Sequence, residues 1–273
     1  MDISVFQNKQ AIPLLALDHR SSLKDILNPE DPDAVSVSEL QAVKSDIIHS
    51  LAGTYDGILL DSDYGLPVYD AHIAPFLLRI GGTEYQQTEN GEERTTVQKY
   101  SVASLKGKGA QGIKLLMYFN PYGFNTTTEL ATAKSIRDEC HQEDLPFFLE
   151  IVTYGNDAPL SQQITDSLDL FIGYGATPDV WKLEYPGDPQ TCGIITQKIA
   201  PTPWILLTRG TSYEDFKDNL SVAMDEGCSG FLAGRAIWQE IDEYTKETRK
   251  EFLRETARPR FEKIKRLALE KSI

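Results

Sequence analysis

Cysteine is scarce in this chain of 273 residues. Cys140, Cys192 and Cys228 are odd in number and far apart, so neither a disulfide framework nor a zinc knuckle follows, and a reducing compartment is the simplest reading. An excess of positive charge is missing too. Against 27 Lys+Arg stand 41 Asp+Glu, a formal net charge of −14, so the mean field repels nucleic acids and anionic membranes. No apolar stretch approaches the ~20 residues needed to span a bilayer. The opening MDISVFQNKQ carries an early acid and leads only into the short run IPLLAL, which does not match a signal peptide. These absences predict a cytoplasmic protein with a small-molecule partner and no nucleic-acid or membrane partner; they leave a homo-oligomer open.

Cofactor and metal signatures are also absent. No G-x-G-x-x-G follows the first apolar run, and G-x-x-x-x-G-K-[ST] occurs nowhere. The four histidines, His19, His49, His72 and His141, show neither H-x-H nor H-E-x-x-H spacing. The expectation is therefore no cofactor and no metal.

What the chain does contain is a repeated alternation. Eight short apolar runs span Pro13–Asp18, Gly57–Asp61, Pro75–Ile80, Gly112–Tyr118, Pro146–Val152, Asp179–Glu184, Trp204–Thr208 and Ser229–Ala233. Continuous apolar runs of this length suit parallel strands covered on both faces. Between them lie segments of helical period: Ser38–Leu51, Thr126–His141, Leu160–Phe171 and Tyr213–Glu226. Eight βα units in this length predict an α/β fold, a single (β/α)8 TIM barrel over residues 1–273. A C-terminal helical tail covers about 242–273, read as an outer helix pair interrupted at Pro259. The polar stretch Thr83–Thr96 reads as a rim loop, either a solvated surface loop or a lid.

Three consecutive strands each place an ionisable side chain inside an apolar run: Lys114 in GIKLLMY, Glu150 in PFFLEIV and Lys182 in DVWKLE. A lysine among strand-core residues is costly unless paired or neutral. Side chains of alternate strands share a layer, so Lys114 and Lys182 can lie at one level with Glu150 between them. A lysine beside a second cation in a desolvated pocket has a lowered pKa and becomes a Schiff-base nucleophile; a structural Lys–Glu–Lys network is the alternative. Glu184, of the same parity as Lys182, is an orienting partner or a strand cap. Asp18 and Asp61 end the first two strands, as substrate ligands or as helix caps. His19 is the only histidine expected near the pocket. The last two strands lead into Thr208-Arg209-Gly210 and Gly234-Arg235, where glycine lets backbone N–H groups approach an anion and arginine adds a bidentate clamp.

The segments LALDHRSSL, ILLDSDYGLP, GIKLLMYF, PFFLEIVTY, VWKLEYP and SGFLAGRAIW resemble, in order and spacing, the class I tagatose 1,6-bisphosphate aldolase family and, more loosely, the sulfofructosephosphate aldolases. The resemblance implies metal-free cleavage of a ketose phosphate to dihydroxyacetone phosphate and a three-carbon aldehyde. By matched position it implies Lys182 as the Schiff-base lysine, Glu150 as acid/base and Lys114 as the assisting lysine. It implies Asp18 as a substrate contact and Gly210, Gly234 and Arg235 as part of the phosphate loops. Departures lie at His19, where the family usually has glutamine, at Arg209, where it has a small residue, and at Thr208, where it has serine. The expected function is a class I aldolase acting on tagatose 1,6-bisphosphate or a like ketose, with 6-deoxy-6-sulfofructose 1-phosphate as the alternative substrate. A non-catalytic metabolite sensor and a barrel isomerase are the competing classes.

Overall fold

A computed structural model describes residues 1–88 and 91–272, the side chains of 85–88 and 91 excepted. Each of the eight apolar runs forms a strand. In chain order these are β1 (Ile12–Leu17), β2 (Gly57–Leu60) and β3 (Phe76–Arg79). The hairpin of β4 (Gly81–Thr88) and β5 (Gly91–Gln98) comes next, followed by β6 (Gly112–Phe119), β7 (Phe147–Thr153), β8 (Val180–Leu183), β9 (Trp204–Leu207) and β10 (Gly230–Ala233). The eight non-hairpin strands close into a barrel in chain order, with β10 pairing back onto β1. Neighbouring barrel strands are parallel. This is the predicted (β/α)8 barrel.

The outer layer consists of α1 (Ser21–Leu27), α2 (Val37–Leu51), α3 (Val102–Gly107), α4 (Thr126–Gln142), α5 (Leu160–Tyr174), α6 (Pro189–Ile199), α7 (Tyr213–Asp225), α8 (Arg235–Trp238), α9 (Lys246–Phe252) and α10 (Arg258–Lys271). Local chemistry sets their ends. Ser36 accepts the Glu39 N–H and starts α2, whose Leu40, Val43, Ile47, Ile48 and Leu51 face the barrel. The α5 helix stops where Gly175 turns left-handed.

Strand alternation divides the core in two. Leu15, Leu17, Ile58 and Leu60 face the helices, whereas Leu14, Ala16, Leu59, Leu77, Phe148, Val180, Ile205 and Leu232 fill the lumen. Phe6 plugs the N-terminal end of the barrel, edge-on to Phe148 at 5.5 Å. It fits because Gly57 and Gly112 have no side chains: a Cβ at Gly57 would lie 2.9 Å from the Phe6 ring, and one at Gly112 3.2 Å from it. This apolar plug closes the floor, so polar groups higher in the lumen face only the opposite mouth.

Two expectations need correcting. The stretch Thr83–Thr96 is the greater part of an antiparallel hairpin, paired from Gly81↔Gln98 to Thr88↔Gly91, and not a structureless loop. It is docked on the rim: Thr96 donates its N–H (3.0 Å) and hydroxyl (2.5 Å) to buried Glu129. The Arg94 guanidinium lies 4.4 Å from the Tyr118 ring centre and 5.2 Å from that of Tyr154. Residues Glu89 and Asn90, within the stretch read as a loop or lid, lie outside the described residues. In the tail, Pro259 does not break the helix. A π-helical turn, Leu253–Ala257, joins α9 to α10, and Pro259 sits in the first turn of α10. The wider turn accommodates a proline that has no N–H to give to the turn before it.

Candidate active site

The C-terminal ends of the strands open into a cavity of about 800 Å³. Its lining includes eight Lys and Arg side chains (Arg20, Lys24, Arg79, Lys99, Lys114, Lys182, Arg209 and Arg235) against Asp18, Asp33, Asp63 and Glu150, so the cavity is positive inside a chain of net charge −14.

At its centre the register places the three ionisable strand residues together. Glu150 pairs directly with Lys182 across β7 and β8. Glu150 Oε1 lies 2.8 Å from Lys182 Nζ, and Oε2 lies 2.5 Å from Lys114 Nζ. Lys114 also donates to Asp18 Oδ2 at 2.8 Å, and Arg79 stands 3.9 Å from that oxygen. All four of Asp18, Lys114, Glu150 and Lys182 are buried.

Burial shapes the charges. For Lys182, desolvation is the largest influence; Glu150 opposes it and Lys114 assists it, and the net effect holds the amine below the ordinary lysine value. Burial alone would raise the Glu150 carboxyl, but Lys114 and Lys182 outweigh it and bring it down to about 2. Asp18 is likewise held well below the carboxylate range: burial is overcome chiefly by Lys114 and Arg79. The result is an amine biased toward its neutral form beside a carboxylate that stays ionised.

Loops after β9 and β10 form one wall. Arg209 has φ 45° and Gly210 φ 76°, a left-handed turn that glycine adopts freely and arginine does not. A Cβ on Gly210 would lie 3.3 Å from the Arg235 guanidinium carbon. Arg235 Nε is buried and has no partner among the described residues. Thr208 lines the cavity beside them. Arg209 ion-pairs with Glu184 and donates to the Thr153 carbonyl at 3.3 Å. Glu184 does not line the cavity; its other oxygen accepts the Thr153 N–H at 2.7 Å and hydroxyl at 2.9 Å. It therefore ties together the ends of β7, β8 and β9. Burial raises its pKa against the pull of those donors.

His19 does reach the pocket, wedged beside Gly234, whose missing Cβ would stand 2.7 Å from His19 Cε1. Burial, opposed by Asp18 and assisted by Arg235, lowers its pKa to about 3, so the departure from glutamine adds no positive charge. Asp61 proves structural: it accepts N–H groups of Asp63, Tyr64 and Gly65 and pairs with buried Lys44 at 2.6 Å. His49 and His72 do not line the cavity, nor does His141, which contacts Asp179 at 3.0 Å.

Sequence reasoning missed Arg20, Arg79 and Lys99. Arg79 is the penultimate residue of the run PFLLRI and is an ionisable residue in an apolar strand, the same signal that identified Lys114. Arg20 and Lys99 sit in connections and carry no such signal; Arg20 is placed by its bonds to Asp63 (3.3 Å) and to the Gly81 carbonyl (3.4 Å). No helix of the described residues is long and apolar enough to cross a membrane.

Comparison with known proteins matches the same elements. A family model described as DeoC/LacD family aldolase matches residues 12–240. Tagatose 1,6-diphosphate aldolase of Staphylococcus epidermidis is 30% identical over 264 residues, covering 83% of this chain and 80% of that protein. The protein of the same name from a bovine strain of Staphylococcus aureus is 29% identical over 290 residues, 91% of this chain and 88% of its own. Among solved structures, an archaeal fructose 1,6-bisphosphate aldolase superposes with TM-score 0.68 at 20% identity, covering 95% of this chain and 97% of that one. The fructose-bisphosphate aldolase of Slackia heliotrinireducens gives TM-score 0.69 at 16% identity, over 98% and 86% of the two chains.

Proposed function

The chain belongs to the DeoC/LacD aldolase family, and from that premise we propose that it is a class I aldolase cleaving a ketose 1,6-bisphosphate such as tagatose 1,6-bisphosphate into dihydroxyacetone phosphate and glyceraldehyde 3-phosphate. The observation that carries the reading is the Glu150 carboxylate bridging Lys182 and Lys114 on the cavity floor.

In this reading the neutral Lys182 amine attacks the C2 carbonyl, and loss of water from the carbinolamine leaves an iminium. Glu150 takes the proton from the C4 hydroxyl; the C3–C4 bond breaks, the aldehyde departs, and the electron pair moves into the iminium to give an enamine. Protonation at C3 and addition of water to the re-formed iminium release dihydroxyacetone phosphate and the free amine. Lys114, fixed by Asp18 and Glu150, stands beside the reacting centre, where it lowers the Lys182 pKa and can stabilise developing negative charge. Anchoring of the C1 phosphate falls to Thr208, Gly210, Gly234 and Arg235, with Arg209 holding the turn.

Support for a second anion comes from the far side of the mouth. Arg79 ends β3, which lies four strands around the barrel from β9, and Arg20 and Lys99 flank it in the cavity lining. A bis-anionic ketose would span the two cation groups with its carbonyl over Lys182. A sulfonate would suit the outer group as well as a phosphate, so turnover of tagatose 1,6-bisphosphate against 6-deoxy-6-sulfofructose 1-phosphate selects between the two. The mechanism itself is tested by borohydride reduction with dihydroxyacetone phosphate and peptide mass mapping: an adduct on the Lys182 peptide supports it, and an adduct on the Lys114 peptide reverses the roles.

A further inference from the structure

His19 follows β1, next to β10 in the barrel, and its ring is held on two sides. Trp238 meets it edge-on, 5.1 Å between ring centres. The bare Cα of Gly234 lets the ring close in where any side chain would collide. Asp18 is its chain neighbour and is held by Lys114. The two ring nitrogens have different surroundings. Nδ1 is sealed from solvent with no partner among the described residues, while the residue lines the cavity, so the edge presented to a ligand is that of Nε2. Sealing an N–H without an acceptor costs more than sealing a lone pair, so the ring proton belongs on Nε2. A fixed, uncharged donor thus faces the cavity between the phosphate loop after β10 and the Lys182–Glu150–Lys114 cluster.

We propose that His19 is a specificity-determining residue that donates a hydrogen bond from Nε2 to the free hydroxyl of the triose half of the substrate, on the carbon next to the carbonyl that Lys182 attacks. The inference rests on the aldolase reading and deepens it. In that reading, with the C1 phosphate beside Gly234 and C2 over Lys182, a C3 oxygen turned toward β1 would meet His19 between the phosphate loop and the base that serves C4. A neutral donor suits a hydroxyl there, since a cation so close would compete for the phosphate.

The test compares dihydroxyacetone phosphate with hydroxyacetone phosphate, which lacks that hydroxyl, by the concentration dependence of borohydride-trapped adduct at Lys182. The wild-type protein is expected to favour the hydroxylated donor by about fivefold to tenfold, the worth of one neutral hydrogen bond. In His19→Gln the amide nitrogen reaches the level of Nε2, and the preference is expected to persist. In His19→Asn, whose amide reaches only the level of Nδ1, and in His19→Phe, the ratio is expected to fall to about one by the loss of that same hydrogen bond. A wild-type ratio retained in both Asn and Phe variants overturns the assignment, as does a wild-type protein without preference. Failure to trap either donor on the wild-type protein overturns the Schiff-base reading and this inference with it, whereas trapping with an unchanged ratio sinks only the role of His19.

Discussion

Lys182 and Glu150 are direct neighbours across β7 and β8, and their side chains meet, Nζ to Oε1, at 2.8 Å inside the lumen. A parallel pair normally buries two apolar residues at such a position. Here the carboxylate has a second oxygen on Lys114, so removal of one lysine leaves it still paired.

That redundancy makes Lys182→Met an informative variant. The chain is expected to fold, because Glu150 keeps Lys114 as a partner, and circular dichroism checks this. Trapped adduct with dihydroxyacetone phosphate should vanish, and kcat for cleavage should fall by at least about a thousandfold, as expected for loss of a covalent nucleophile. Full turnover in this variant would be incompatible with a Schiff base at Lys182.

Glu150→Gln separates two steps. Iminium formation needs the amine, whereas carbon–carbon cleavage needs the base, so adduct should still form while kcat drops by about 10² to 10⁴. The pH dependence of trapping should move as well. Glu150 is the main influence raising the Lys182 pKa against burial and Lys114. Without it the amine loses its proton at lower pH, and the rise in trapping rate with pH shifts toward acid. A shift toward base would contradict the electrostatic account.

Acid stability reports on His19 and Glu150 together. The folded His19 pKa, about 3, lies below the ordinary 6.5. The unfolded chain therefore takes up a proton that the folded chain refuses, and stability falls as pH drops from about 6.5 to about 3. Glu150, depressed from 4.5 to about 2, adds a second loss over that lower window. Urea midpoints at pH 7 and pH 4 should show the wild-type protein losing a few kcal/mol more than His19→Gln, which lacks the first contribution. Equal losses in the two proteins would show that burial does not hold the His19 pKa down.

Much of this was legible in the chain because a buried charge in a strand is an exception to a strong rule. Lys114, Glu150 and Lys182 declare themselves against leucine and phenylalanine neighbours, and eight apolar runs separated by longer polar or amphipathic segments specify the barrel. Lys44 went unread for the converse reason. It lies on a helix where a lysine is ordinary, and only the fold reveals that it is fully buried against Asp61 and the Leu17 carbonyl. The β4–β5 hairpin carries no apolar face to give it a period of two. Its strands pair with each other, and the hairpin docks on the barrel through Arg94 and Thr96. Arg209 was visible as a departure, yet its partner Glu184 is remote in sequence and could not be deduced.

Arg209 combines an unfavourable backbone with a favourable side-chain contact, and two variants separate them. Its left-handed φ of 45° costs about 1 kcal/mol for a non-glycine residue. Its guanidinium satisfies Glu184, whose carboxyl is buried though the arginine side chain is half exposed. Arg209→Ala keeps the backbone strain and strips Glu184 of its cation, so stability should fall by about 1–2 kcal/mol after allowance for solvent screening. Arg209→Gly loses the same contact and relieves the strain, so it should recover about 1 kcal/mol relative to alanine. Both variants loosen the turn that carries Gly210, so KM for the bisphosphate should rise more than kcat falls. Urea denaturation and steady-state kinetics read the two effects separately. If alanine and glycine prove equally stable, the left-handed turn does not persist in solution; if KM stays put in both, Arg209 has no part in holding the anion.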